Sequence, residues 1–154
     1  MKFWLVKSEG DCYPISALQK DKKTPWTGVR NYQARNYMRD DMKVGDGVLF
    51  YHSKGTAEAR SGVYGTARVA SKPYPDPTQF DPEDEHYDPK SKKTNPTWFL
   101  VDIAYVSTFD NPVPLADLRV EPALQGMPLL EKGSRLSVQP VSEKQFKKII
   151  QMGK

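Results

Sequence analysis

Between Trp26 and Arg39, fourteen residues carry one indole, two tyrosines, three arginines and two asparagines. Side chains of these types hold flat heterocycles with polar edges. An aromatic face stacks on a nucleobase for about 1–3 kcal/mol, while Asn, Ser and His offer donors and acceptors to the base edge. Guanidinium groups grip the flanking phosphates. Trp26 follows the polar stretch Asp21-Lys22-Lys23-Thr24-Pro25 and precedes Thr27-Gly28. It therefore does not sit in an apolar run, where a purely structural tryptophan would be expected.

Bond-breaking chemistry is poorly supplied. The two histidines, His52 and His86, belong to no His-x-x-x-His pattern, and the single cysteine excludes a Cys-x-x-Cys pair. The acidic run Asp81–Asp88 lacks the alternation and glycine of a calcium loop and reads as a solvated loop. His52 and Ser53 are neighbours on an expected strand, where they point to opposite faces. Cys12 with His52 is the remaining formal nucleophile–base pair. No glycine-rich phosphate loop is present. The expectation is a protein that is not an enzyme and uses no cofactor and no metal. Two alternatives stay open: a nucleic-acid-modifying enzyme using His52, Cys12 or the acidic loop, and a protein or small-molecule interaction module using the 73–95 loop.

At 154 residues the chain fits one domain, 1–154. No apolar run approaches the roughly 20 residues of a membrane span, so no membrane partner is expected. The start, MKFWLVKSEG, breaks at Lys7 and Ser8, too early for a signal-peptide core. With Cys12 alone there is no disulfide framework, which points to the cytoplasm, or the nucleus in a eukaryote. The net charge is +4, unevenly spread. Residues 1–72 carry 13 Lys and Arg against 7 Asp and Glu, whereas residues 73–154 carry 10 against 12. The basic excess coincides with the aromatic–arginine segment, as a face following a phosphate backbone would require.

The elements that must position these residues follow from periodicity and punctuation. Phe3–Val6, Val48–Tyr51, Gly62–Ala70, Trp98–Phe109 and Leu136–Val138 read as strands. Ile15–Gln19, Asn31–Asp40, Pro114–Val120 and Ser142–Met152 read as helices. Asn31 is the expected N-cap of the second helix, with Ala34, Tyr37 and Met38 turned to the core. Ser142 and Gln145 are spaced for a capping box. Residues 21–25, 54–61 and the proline-rich 73–95 read as loops, the last with a short turn near Thr78-Gln79-Phe80 and either functional or mobile. The order argues for an α+β domain around a curved or barrel-like sheet.

The stretches Lys7-Ser8-Glu9, Trp26, Gly28-Val29-Arg30-Asn31-Tyr32-Gln33-Ala34-Arg35-Asn36, Phe50-Tyr51-His52-Ser53, Tyr74–Asp81 and Arg135-Leu136-Ser137-Val138-Gln139-Pro140-Val141 resemble the EVE domain family. The likeness is greatest to its thymocyte nuclear protein group and bacterial relatives, and it spans nearly the whole chain. Gly10 departs from the family pattern, which usually has proline there. The resemblance implies a PUA-like fold, a mixed, partly open β-barrel of about five to six strands flanked by helices, more distantly similar to the YTH domain.

It also implies a reader that holds a flipped, modified nucleobase, with modified cytosine in DNA foremost and a modified RNA base as a second option. Carried over by position, the pocket would comprise Lys7, Ser8, Trp26, Asn31, Tyr32, Arg35, Asn36, His52, Ser53 and Ser137, with Trp98 and Gln139 as weaker members. In this scheme Trp26 stacks on the base, and Ser8, Asn31 and Ser53 read its edge. Arg30, Arg35 and Arg39 would hold phosphates, although Arg39 has Asp40 and Asp41 as rival partners. The expected partner is DNA or RNA carrying a modified base, bound by a monomer, with partner enzymes left open.

Overall fold

The computed structural model describes residues 1–9, 12–53, 61–132 and 136–154. Lys54–Arg60, most of one expected loop, lie outside the described residues, as do Gly10 and Arg135.

The first strand, β1 (Phe3–Glu9), alternates its side chains between two cores. Trp4 and Val6 enter one apolar cluster with Trp26, Met38, Phe50 and Ile103. Leu5 enters the other with Leu49, Val63, Leu118 and Ile149. The same period-two division sends Val48 and Phe50 of β3 (Gly47–Ser53) to the first core and Leu49 and Tyr51 to the second. Strands buried on both faces must be apolar throughout, which is why both read as continuous hydrophobic runs.

Six strands make the main sheet. Besides β1 and β3 they are β2 (Lys23–Pro25), β4 (Gly62–Val69), β7 (Asp102–Pro114) and β8 (Val138–Val141), in the order β2-β7-β4-β3-β1-β8. β1 and β3 run parallel; the other neighbours are antiparallel. Register shifts at Phe50/Tyr51, Val63/Gly65 and Thr66/Ala67 add bulges that bend the sheet into a half-barrel. Gly65 stands where a side chain would collide with the Ser107 carbonyl, so the missing Cβ permits the close approach of β4 and β7. A two-stranded ribbon, β5 (Tyr74–Pro75) with β6 (Phe99–Leu100), stands apart.

The helices are α1 (Ile15–Asp21), α2 (Tyr32–Asn36), α3 (Leu115–Val120) and α4 (Glu143–Met152). Asn31 caps α2 as expected, its Oδ1 accepting from the Ala34 N–H at 2.9 Å. The expected straight helix to Asp40 instead passes into a π-helical turn, Tyr37–Asp41, closed by the Met42 N–H on the Tyr37 carbonyl. The Ser142–Gln145 capping box is formed in both directions.

Two strand expectations are corrected. The 21–25 loop contains β2, because the backbone of Lys23–Pro25 pairs with Asp102–Ala104 despite its polar side chains. The strand expected at Trp98–Phe109 breaks after β6 and then runs on to Pro114. In the 73–95 segment the turn expected near Thr78–Phe80 is present, as a 3-10 helix over Pro77–Phe80, and the rest is held more tightly than a loop. The fully buried Gln79 donates to the Asp76 and Trp98 carbonyls and accepts from the Trp98 N–H and Ser91 Oγ.

Candidate functional site

At one end of β1 the chain leaves a cavity of about 700 Å³. Lys7, Ser8 and Glu9 form its floor as β1 ends, and Cys12 and Tyr13 continue the wall. Ser137 is brought alongside by the Lys7 N–H, which donates to its carbonyl at 2.9 Å. The segment Thr24–Arg30 makes the opposite wall, with Trp26 anchored through its backbone N–H on the Val101 carbonyl at 3.0 Å. Glu85 and His86 reach in from the acidic segment.

Trp26 is 8% exposed and meets Tyr13 and Phe50 edge-to-face, with centroids 6.4 and 5.6 Å away. Its indole N–H separates it from the other two tryptophans. Trp4 Nε1 donates to Asp46 at 3.0 Å and Trp98 Nε1 to Asp88 at 2.8 Å. Among the described residues the Trp26 indole N–H has no acceptor, and it is not sealed from solvent. Buried indole N–H groups are normally satisfied, so this donor is free for a ligand, and Trp26 is one of the residues lining the cavity. Lys7 adds a second donor. Its half-buried ammonium makes no hydrogen bond or ion pair among the described residues, and desolvation pushes its pKa below the usual lysine value. Ser8 Oγ already donates to the Tyr13 carbonyl at 2.6 Å, so it faces a ligand as an acceptor.

The segment after Trp26 is held by one buried carboxylate. Asp76, 1% exposed, accepts from the Gly28 N–H at 2.8 Å, from the Thr78 N–H and hydroxyl, and from Arg30 at 3.1 Å. Burial pushes its pKa up, but the hydrogen bonds from Thr78, Gly28 and Arg30 outweigh that and hold it below the ordinary value. Arg30 uses all five N–H donors inside the protein: two on the His86 carbonyl, and one each on Val29 O, Asp76 and Thr78 Oγ1. No donor remains for a phosphate, so the expectation for Arg30 is corrected: it ties the acidic segment to the cavity wall.

Of the positions carried over from the sequence, Lys7, Ser8, Trp26 and Ser137 come together at the cavity. The others do not line it. Asn31 is engaged as the α2 cap. Ser53 donates to the Ser8 carbonyl at 3.4 Å. His52 is buried beneath α1, where Nε2 accepts from the Ile15 N–H at 3.0 Å and the ring stacks on Tyr64 at 3.9 Å. That burial lowers its pKa to about 4. A histidine whose ring nitrogen serves the backbone is a poor general base, and no hydrogen bond among the described residues joins it to Cys12. Gln139 is fully buried beside Leu136.

Tyr32, Arg35, Asn36 and Trp98 form a separate cluster. Tyr32 stacks on Trp98 with centroids 4.9 Å apart and planes at 24°. Arg35 lies near both rings, donates to the Thr97 carbonyl and shares the Asn36 Oδ1 with Arg39. Arg39 pairs mainly with Asp40, at 2.8 Å on an exposed surface.

A family model for the EVE domain matches residues 2–152. The chain belongs to the EVE domain family. Its six-stranded half-barrel with four helices is the family's PUA-like α+β fold. Thymocyte nuclear protein 1 of zebrafish (Danio rerio) is 41% identical over 97% of this chain and 71% of its own length. A Pseudomonas syringae protein of known structure is 41% identical over 99% of both chains, with a TM-score of 0.93. The human THYN1 protein, crystallised in complex with DNA containing 5-methylcytosine, is 34% identical, with a TM-score of 0.91 over 100% of this chain and 98% of that one.

Several walls of this EVE domain's cavity escaped the sequence reading: Glu9, Tyr13, Thr24, Thr27, Glu85 and His86. Gly28 carried a signal, since a glycine directly after a functional-looking Trp-Thr pair invites a positive φ, observed at +86°. Glu85 and His86 carried none. They arrive through the 56-residue separation of the Arg30–His86 bond, and no local spacing reports that.

Proposed function

We propose that this EVE domain is a non-catalytic reader that takes one flipped nucleobase, 5-methylcytosine in DNA foremost, into the cavity beside Trp26. The observation that carries this reading is the unpaired indole N–H of Trp26, a residue on the wall of an open cavity. The human relative crystallised with 5-methylcytosine DNA supports the choice of ligand. A volume of about 700 Å³ falls in the usual range of small-ligand sites and admits a nucleoside rather than a bare ring.

The wall chemistry suits an amino-bearing base. Cytosine presents one amino donor beside acceptors on its ring edge. Glu9 and Glu85 offer carboxylate acceptors for the amino group, while Lys7 and the Trp26 N–H offer donors for the ring nitrogen and carbonyl. Thymine reverses the pattern at two atoms. It sets a ring N–H against the donors of the buried Trp26 and half-buried Lys7, a mismatch that discriminates more strongly than size does, and a carbonyl against the exposed carboxylates of Glu9 and Glu85. The methyl group adds only about 0.8 kcal/mol on burial. Flipping costs a few kcal/mol and less from a mismatch or single strand, so affinity should rise in that order. The thiol on the wall, Cys12, donates to the Glu9 carboxylate at 3.4 Å. Binding without turnover is the role this geometry favours.

The test is calorimetric titration with matched oligonucleotides carrying cytosine or 5-methylcytosine at one position, alongside Trp26→Phe. Tighter binding of the methylated strand, weakened in the variant, supports the reader. Equal affinity of wild-type and variant protein for both strands overturns it.

A further inference from the structure

Outside the cavity, Tyr32 is 62% exposed although it lies flat on the buried Trp98. The Arg35 guanidinium carbon is 5.0 Å from the Tyr32 centroid and 5.9 Å from that of Trp98, and the two rings are 4.9 Å apart. Three centres at these separations form a nearly equilateral triangle. Trp98 and Arg35 hold the ring in place, and its 62% exposure leaves surface open to a further ring. A large aromatic that is stacked on a neighbour and still this exposed is not a core residue. Its rotamer is held in advance by the stack and the cation, so little ordering is needed for a further ring to settle on it.

The platform is joined to the cavity by one residue. The Arg30 guanidinium lies 5.3 Å over Trp98, lines the cavity and binds the His86 carbonyl. A guanidinium with free donors lies beside Tyr32, and the nearby carboxylates are already engaged, Asp88 by the Trp98 indole and Asp40 by Arg39. Arg35 has three of its five N–H donors engaged among the described residues, leaving two for an outside acceptor. Arg39 stands one helical turn away, paired with Asp40.

We infer that Tyr32 is a second stacking site, which takes the face of a nucleotide next to the flipped one. Arg35 then holds the intervening phosphate. This rests on the reader function proposed above and extends it from the base to the strand. Flipping leaves a neighbouring base with one uncovered face, and an aromatic ring beside a guanidinium is what such a face binds, whatever its sequence. The contribution is thus to strand binding and is indifferent to the modification.

The experiment compares wild type, Tyr32→Ala and Tyr32→Phe with two probes: free 5-methyl-2′-deoxycytidine and a duplex carrying one 5-methylcytosine. Tyr32→Ala should weaken duplex binding roughly tenfold, as expected for one lost base–aromatic stack, and leave nucleoside binding unchanged. Tyr32→Phe should match wild type with both probes. Unaltered duplex affinity in Tyr32→Ala overturns the inference, as does an equal loss for nucleoside and duplex, which would return Tyr32 to the base pocket. A loss in Tyr32→Phe would assign the effect to the hydroxyl and also overturn stacking. If wild type binds neither probe, the reader function itself fails and this site with it.

Discussion

His86 lies so close over Gly28 that a Cβ there would stand 2.8 Å from the imidazole Cε1. The glycine also has φ +86°, a region that side chains enter at about 1–2 kcal/mol. Turn and acidic segment are thereby locked together at the cavity rim. Gly28→Ala should cost about 2–3 kcal/mol in urea unfolding, from strain plus displacement of the ring. In a His86→Ala background the same substitution should cost about 1–2 kcal/mol, because only the backbone strain persists. Equal costs in both backgrounds would refute the contact.

Trp26→Phe separates the ring from its N–H. The phenyl still packs on Phe50 and Tyr13, so thermal unfolding should shift by only a few degrees. Affinity for a methylated oligonucleotide should drop about five- to tenfold, the ordinary worth of one hydrogen bond in a desolvated site. Wild-type affinity in this variant would show that the free indole donor has no ligand.

Stability should fall with acid in a window set by His52. Its pKa is about 4 when folded against 6.5 ordinarily, so the unfolded chain binds the extra proton first. The stabilisation is complete above pH 6.5 and is lost as pH falls towards 4. Each tenfold change in proton affinity is worth about 1.4 kcal/mol, so the full loss is on the order of 3 kcal/mol. His52→Gln keeps an acceptor for the Ile15 N–H and should flatten the slope of urea midpoint against pH between 6.5 and 4.5. An unchanged slope would assign it to another group.

Asp76→Ala should be among the most damaging single changes. It strands the half-buried Arg30 guanidinium and the Gly28 N–H together, a loss of about 3–5 kcal/mol, as for other broken buried pairs. Arg39→Ala should do the opposite. Its pair with Asp40 lies fully exposed and screened by solvent, so the unfolding midpoint should barely move. Chemical denaturation of the two variants side by side checks both.

Reading the chain alone recovered what depends on near neighbours. Continuous apolar runs at Phe3–Val6 and Val48–Tyr51 marked two central strands, and Asn31 and Ser142 marked helix starts, because those signals act within a few residues. The likeness of long motifs brought Lys7, Ser8, Trp26 and Ser137 to one place. It also placed Tyr32, Arg35 and Asn36 in the same pocket, although a helix that starts at Tyr32 turns them to Trp98 instead.

What the sequence by itself determined is therefore the inventory: an α+β chain with a tryptophan after a polar loop, arginines to spare and no catalytic spacing. Tertiary structure alone decided which polar groups stay unsatisfied. Arg30 lost all five donors to acceptors up to 56 positions away, while the Trp26 N–H kept its own. Residue type sets how many hydrogen bonds a side chain can make. The packing of distant segments sets how many are already made, and only the remainder can bind a ligand.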